Sequence, residues 1–242
     1  MPLDLSIIIP AFNEEGRLAE SLKRIREYLT RRAMTFEVLV VDDGSTDGTA
    51  KIVERARDAF PELRLISNSA NRGKGFSVRH GMLEARGEIA LFTDADLSAP
   101  IEEADKLLAA LRDGGYDGAI GSRAVDRSLI EVHQSRFREI AGIIFNLMVR
   151  SAVGLPFQDT QCGFKAFHMQ QTRRVFELQR IEGFGFDPEI LFLAKKMGLR
   201  VAEVPVRWAH HPATKVHVFS DSIRMFLDLV AIRWNALLGR YR

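Results

Sequence analysis

Apolar residues in this chain come in short runs that stop at polar clusters, and between the runs lie stretches of helical spacing. Residues 5–9 form an apolar run closed by Pro10, the pattern of a buried strand ending in a turn. Across residues 14–30 the apolar positions fall at Leu18, Leu22, Ile25 and Leu29, which predicts a helix with one buried face. A second strand is expected at 36–41 (FEVLVV), a helix at 46–60, a third strand at 63–67, and a helix at 76–85 behind a Gly- and Lys-containing loop at 71–75. A fourth strand at 88–93 (EIALFT) runs into Asp94, followed by a helix at 101–112 and a fifth strand at 118–122. Strands alternating with helices in this way predict an α/β domain: a mostly parallel twisted sheet with helices on both faces. Ligands of such sheets bind beyond the carboxyl ends of the strands. Asn13-Glu14, Asp42-Asp43, Asp94-Ala95-Asp96 and Ser122-Arg123 all fall at strand ends, so four strands bring polar groups to one rim.

Two later segments are apolar but interrupted. Residues 140–157 and 223–238 are broken by polar groups and arginines, and no stretch reaches the ~18 apolar residues of a membrane span. The N-terminal run is too short for a secretory signal. In the C-terminal segment Ile223, Phe226, Leu227, Val230, Trp234, Leu237 and Leu238 form a stripe flanked by Arg224, Arg233, Arg240 and Arg242. It reads either as an amphipathic helix lying on a membrane surface or as one packed on the body or on a second subunit. The expected division is therefore an α/β domain over 1–220 and an amphipathic helix over 221–242.

Composition narrows the class. The 242 residues are 46% hydrophobic and 27% charged with a net charge of +2, ordinary for a globular domain and without the basic concentration of a nucleic-acid binder. The single cysteine, Cys162, excludes an intramolecular disulfide and a multi-Cys zinc site, which fits a reducing, cytoplasmic setting. No acid–base partner stands near Cys162 in sequence, so a packed small side chain is the better reading than a nucleophile.

The polar clusters carry the candidate chemistry. Asp94 and Asp96 are two carboxylates one residue apart at a strand end; both can reach one divalent cation, Mg²⁺ or Mn²⁺, or they can be a solvated turn. Asp42-Asp43-Gly44-Ser45 offers carboxylates to a base or ribose, or caps the next helix. Asn71-Arg72-Gly73-Lys74-Gly75 suits phosphate approach, yet it is neither a Walker A loop nor a dinucleotide fingerprint. Ser122 and Arg123, with Arg136 and Arg138 beyond, suit a second phosphate, or they belong to a solvated basic face, the better reading for Arg127. His210 and His211 are adjacent and so cannot readily share a metal.

In order, SIIIPAFNEE, EVLVVDDGSTDGT, NRGKGFSVRHGM and FTDADLSAP resemble the inverting glycosyltransferases of family 2, with a GT-A fold. GSR at 121–123, DTQCGFKAF at 159–167, GFGFDPEILFLAKKMG and VPVRW are similar to the polyprenyl-phosphate hexose synthases, above all those of the dolichyl-phosphate glucose type. This resemblance implies transfer of a hexose, glucose first, from a nucleotide-diphosphate sugar to a polyprenyl phosphate. The alternatives are mannosyl transfer from GDP-mannose to the same lipid, or a glycan hydroxyl as acceptor. It further implies that Pro10, Phe12, Glu14, Asp42 and Asp43 hold the base and ribose, and that Asp94, Ala95 and Asp96 meet the metal and diphosphate. Lys74 and Lys215 would lie over the donor. Ser122, Arg123 and Arg138, with Arg136 as the register alternative, would meet the acceptor phosphate. The enzyme would sit on the cytoplasmic face of a membrane without crossing it.

Overall fold

The computed structural model describes residues 3–132, 136–210 and 218–242. In chain order the elements are β1 (Leu3–Ala11), α1 (Leu18–Thr30), β2 (Phe36–Asp42), α2 (Thr49–Ala56), β3 (Leu63–Ser67), α3 (Lys74–Glu84), β4 (Gly87–Thr93), α4 (Ala104–Arg112) and β5 (Gly118–Ser122). They continue with β6 (Ile130–Val132), α5 (Arg136–Val153), β7 (Phe164–His168), α6 (Met169–Leu178), α7 (Phe186–Lys196), β8 (Val201–Pro205), β9 (Trp208–Ala209) and α8 (Val218–Leu237).

All five expected strands form. Seven strands make one sheet in the order β3-β2-β1-β4-β7-β5-β8, and β6 pairs with β9 in a small ribbon. Neighbours are parallel except that β7 runs antiparallel to both β4 and β5. The reversal follows from the chain path: the 154–163 segment stays on the rim where β4 and β5 end, so β7 starts there, with Phe164 beside Thr93.

The sheet is covered on both sides because its strands alternate apolar residues to two faces. Ile7 and Ile9 join Val38, Val40 and Leu91 under α1 and α4, while Ile8 joins Leu39, Val41 and Phe92 under α3, α6 and α7. Each such side chain contributes roughly 1.5–3 kcal/mol on burial. The helix α8 begins at Val218, so residue 221 lies in its first turn, and its inner face, Leu229 and Ile232, belongs to the second core. Its C-terminal stripe therefore divides into a packed side and an exposed side. Among the described residues no helix is long and apolar enough to cross a membrane.

All four expected helices start later or earlier than the spacing suggests: α1 begins at Leu18 instead of residue 14, and α4 at Ala104 instead of residue 101, after a 3₁₀ turn at Ile101–Glu103. The helix α2 begins at Thr49 instead of residue 46, because Asp47 takes the Thr49 amide at 2.9 Å and residues 43–48 form a turn. The helix α3 begins at Lys74 instead of residue 76, because Gly73, at φ +108°, turns the chain directly into the first helical residue.

Candidate active site

The strand β1 leads through α1 to β2 on one side, while β4 pairs with its other edge, so the order reverses between β1 and β4. A reversal of this kind splays the two following loops and opens a crevice at the carboxyl ends. Residues 12–17 form one wall and residues 94–98 the other.

The Asp94–Ser98 wall is tightly specified. The Ala95 side chain is buried, and its carbonyl accepts the Ser21 hydroxyl at 2.6 Å. Asp96 Oδ1 accepts the Ser98 amide at 3.0 Å, and Leu97 is held at φ +49°, a left-handed conformation unusual for a leucine. Both aspartates thus remain half-exposed toward the crevice. Asp94 rests on Gly163: a Cβ built there would lie 2.6 Å from both Cγ and Oδ1 of Asp94 and closer still to Oδ2. Gly163→Ala must therefore push the carboxylate out of place. We expect kcat to fall by roughly 10–100-fold, the penalty of about an ångström of misplacement, with the thermal midpoint nearly unchanged. An activity assay beside a thermal melt checks this.

Lys74, at the start of α3, places Nζ 2.5 Å from Asp94 Oδ1. Burial works against its charge, but Asp94, Asp187 and Asp96 together raise its pKa above the ordinary lysine value. The loop that delivers it is shaped by Asp43. That buried carboxylate accepts the Gly73 amide at 2.7 Å, the Arg72 amide at 3.1 Å and the Asn68 side chain at 2.8 Å. Asp43 thus builds the Lys74 loop with the oxygens that the sequence assigned to a ligand.

On the opposite wall Pro10 and Phe12 are half-buried, and Glu14 is buried. Arg17 bridges the crevice: its Nη2 donates to Glu14 Oε1 at 2.9 Å and its Nη1 to Asp96 Oδ2 at 3.4 Å. The Glu14 hydrogen bond is the main reason its pKa is raised. Sequence reading missed Arg17, which falls on the expected α1 pattern as an ordinary surface arginine. Asp42 is buried and accepts the Ser45 amide at 3.2 Å. The 12–17 and 42–49 loops are laced together, with the Thr46 amide donating to Asn13 Oδ1 at 2.8 Å and the Glu14 amide to Thr49 Oγ1 at 2.7 Å.

A second positive centre lies along the rim, at the end of β5. Arg123 donates from Nε and Nη2 to Asp159 at 2.6 and 2.9 Å and lies over the Trp208 ring at 5.4 Å. Burial tends to raise the Asp159 carboxyl, but the guanidinium overrides it and holds it at about 2. The Arg123 pKa is raised in turn by Asp159, with Cys162 and Asp94 adding to the effect. The Ser122 hydroxyl donates to Glu203 Oε1 at 2.8 Å. Cys162 is buried, and burial pushes its thiol up to about 12, so it is a packed side chain and no nucleophile. Arg136 and Arg138 open α5, but their side chains lie outside the described residues, as do Lys215 and His211.

Behind these groups stands a pair that sequence reading did not find. Lys165, in the middle of β7, is fully buried; its Nζ donates to the Cys162 carbonyl at 2.5 Å and pairs with Asp187 at the start of α7. Burial raises the Asp187 carboxyl, while Lys165 and Lys74 oppose it.

This architecture is found among solved structures of GT-A glycosyltransferases. Glucosyl-3-phosphoglycerate synthase from Mycobacterium tuberculosis, solved with Mn²⁺, UDP and glucosyl-3-phosphoglycerate, superimposes with a TM-score of 0.67 at 20% identity, over 98% of this chain and 80% of that one. The model of glycosyl transferase family 2 matches residues 6–177. The chain belongs to glycosyltransferase family 2. Within that family it is 35% identical to the dolichyl-phosphate beta-glucosyltransferase of Dictyostelium discoideum, over 100% of this chain and 78% of the relative. It is 37% identical to that of Drosophila melanogaster, over 99% of this chain and 77% of the relative.

Proposed function

We propose that this glycosyltransferase moves glucose, with inversion, from UDP-glucose to a polyprenyl phosphate of the dolichyl type at a membrane surface. The observation that carries the reading is the acidic pair Asp94 and Asp96 at the β1/β4 crevice, already neutralised in part by Lys74, on a chain whose relatives are named dolichyl-phosphate beta-glucosyltransferases. Mannosyl transfer is disfavoured, since those relatives are glucosyltransferases by name.

The acidic pair fits a divalent cation. Both residues offer hard carboxylate oxygens and are half-exposed toward the crevice, where one cation could reach the two. Such a pair leaves the remaining positions to phosphate oxygens and water, as Mg²⁺ or Mn²⁺ requires. The metal, once bound, would neutralise charge on the departing diphosphate. A structurally similar glucosyl-3-phosphoglycerate synthase was solved with Mn²⁺ and UDP.

The remaining work falls to the chain. Pro10, Phe12, Glu14 and Asp42 line the wall suited to the base and ribose, and Lys74 meets the diphosphate. Arg123 uses only part of its five-donor guanidinium on Asp159, and the rest can hold the acceptor phosphate. A phosphate monoester has its second pKa near ~6 and is already a competent nucleophile, so no carboxylate base is needed. Positioning two anions and offsetting their charge is then the main catalytic task.

The acceptor is a lipid, and two helices give the domain a way to reach it. The helices α5 and α8 pack together, and Ile143, Ile144, Leu147, Phe226, Leu227 and Trp234 are all exposed on them. Arg150, Arg224 and Arg233 are exposed on the same helices. Apolar residues with basic neighbours suit an anionic lipid surface. Incubating the protein with Mn²⁺, liposomes bearing polyprenyl phosphate, and a panel of nucleotide sugars tests both parts. The expected product is polyprenyl phosphoglucose from UDP-glucose, with the protein sedimenting with the liposomes. Product only from GDP-mannose, or only on a glycan hydroxyl, would replace this reading.

A further inference from the structure

The carboxylate of Glu189, on α7, has no part in the site described above, yet it joins the turn at residues 240–242 to the segment beneath Lys74. Glu189 is fully buried. It accepts the Arg180 amide at 3.1 Å, the Ile181 amide at 2.8 Å and the Tyr241 hydroxyl at 2.5 Å. A buried carboxylate with three donors fixes the short 180–182 segment in one conformation.

That segment is the seat of the Lys74 loop. The Phe76 amide donates to the Glu182 carbonyl at 3.0 Å. Gln179 Nε2 donates to both the Gly75 carbonyl, at 2.8 Å, and the Ile181 carbonyl, at 3.1 Å. The glycines flanking Lys74 lie directly on the seat: a Cβ at Gly73 would be 2.5 Å from the Glu182 carbonyl, and one at Gly75 would be 2.7 Å from the Ile181 carbonyl. Any shift of residues 180–182 therefore moves Lys74.

The C-terminal turn after α8 holds the other side of Glu189. Tyr241 is buried, Arg180 donates to the Arg240 carbonyl at 3.1 Å, Arg174 to the Arg242 carbonyl at 3.0 Å, and Lys196 to the Tyr241 carbonyl at 3.3 Å. Further along α8, Asp228 accepts the backbone amide of Gly185, just before α7. The helix α8 and the turn after it thus hold the chain on either side of residues 181–184, at Arg180 and at Gly185.

We propose that Glu189 and Tyr241 are positioning residues for the donor loop: through the 180–182 seat, the C-terminal turn sets how firmly Lys74 holds the donor diphosphate. The assignment of Lys74 to the diphosphate rests on the function proposed above; the mechanical link from Tyr241 to the loop does not.

The test uses the full chain and two measurements. Binding of UDP-glucose with Mn²⁺, without acceptor, is followed by calorimetry in the wild type, Tyr241→Phe, Lys74→Met and the double variant. Removing one buried hydrogen bond should weaken binding about 5-fold in Tyr241→Phe. The loss should shrink below about 2-fold in the Lys74→Met background, because the effect runs through that lysine. Hydrogen exchange is measured on the same proteins, and amides 73–77 and 180–182 should exchange faster in Tyr241→Phe while the β1, β2 and β4 amides do not. Wild-type affinity in Tyr241→Phe, or equal losses in both backgrounds, would overturn the proposal, as would unchanged exchange at 73–77. A wild type that ignores UDP-glucose would instead overturn the donor assignment, and the exchange data would still decide the link.

Discussion

Asp96→Asn lowers kcat at least ~10³-fold, equivalent to about 4 kcal/mol of lost transition-state stabilisation, while the protein stays folded. The asparagine is chosen because its side-chain oxygen can still accept the Ser98 amide, so the turn that places residues 95–98 survives. What it removes is the negative charge facing the crevice. Loss of one preorganised electrostatic partner at a reacting centre is worth ~2.7–4 kcal/mol, and Asp96 is asked to supply an effect of that size by holding a cation against the diphosphate. The stability change should be small, because the charged partner of Asp96 among the described residues is Arg17 at 3.4 Å, and that side chain is better held by Glu14. Steady-state assays at saturating Mn²⁺ and UDP-glucose, with circular dichroism and direct Mn²⁺ titration, check the claim. The variant should bind Mn²⁺ more weakly. Near-normal turnover would remove Asp96 from the site, and normal turnover without any divalent ion would remove the metal.

The rim of this site was legible because parallel strands end where their apolar runs end. The sequence shows Val41 giving way to Asp42 and Thr93 giving way to Asp94, and the structure puts both on the carboxyl-end rim of the sheet. Cys162 was likewise read correctly, as a small buried side chain. Three features were hidden, each for a physical reason. Asp43 looks like a ligand in sequence; in the structure it also accepts amides from a loop some 30 residues on, and no local pattern signals that contact. Arg17 sits on a helix start where an arginine ordinarily faces solvent; only the folding of β1 beside β4 brings it to Asp96. Lys165 interrupts the apolar run FKAFH, and periodicity assigns such a lysine to a solvated face. It is instead enclosed, because β7 lies between β4 and β5 with α7 supplying Asp187. The antiparallel direction of β7 is invisible for a related reason: direction depends on which rim the preceding loop keeps to, not on the strand's own residues.

Lys165→Met is the substitution expected to cost most in stability, about 3–5 kcal/mol, a large part of the roughly 5–15 kcal/mol that holds a domain folded. The methionine fills nearly the same volume, so the cost is electrostatic and not a cavity. Lys165 has no exposed surface and answers two groups, the Asp187 carboxylate and the Cys162 carbonyl. Removing it leaves both buried, and Asp187 is already raised by burial and by the nearby Asp94. Lys74 also acts on Asp187, but it is bound to Asp94. The variant therefore sets Asp187 and Asp94 in competition for Lys74, so the surviving folded protein should also bind UDP-glucose more weakly. Replacing the whole pair separates these effects. In Lys165→Met with Asp187→Leu no unpaired charge remains, and most of the lost stability should return, since apolar replacements of buried pairs are often neutral or better. Urea unfolding of the wild type and of the single and double variants measures this directly. A single variant within about 1 kcal/mol of wild type, or a double variant no better than the single, would mean that water reaches Asp187 and that the pair is not a buried support for the site.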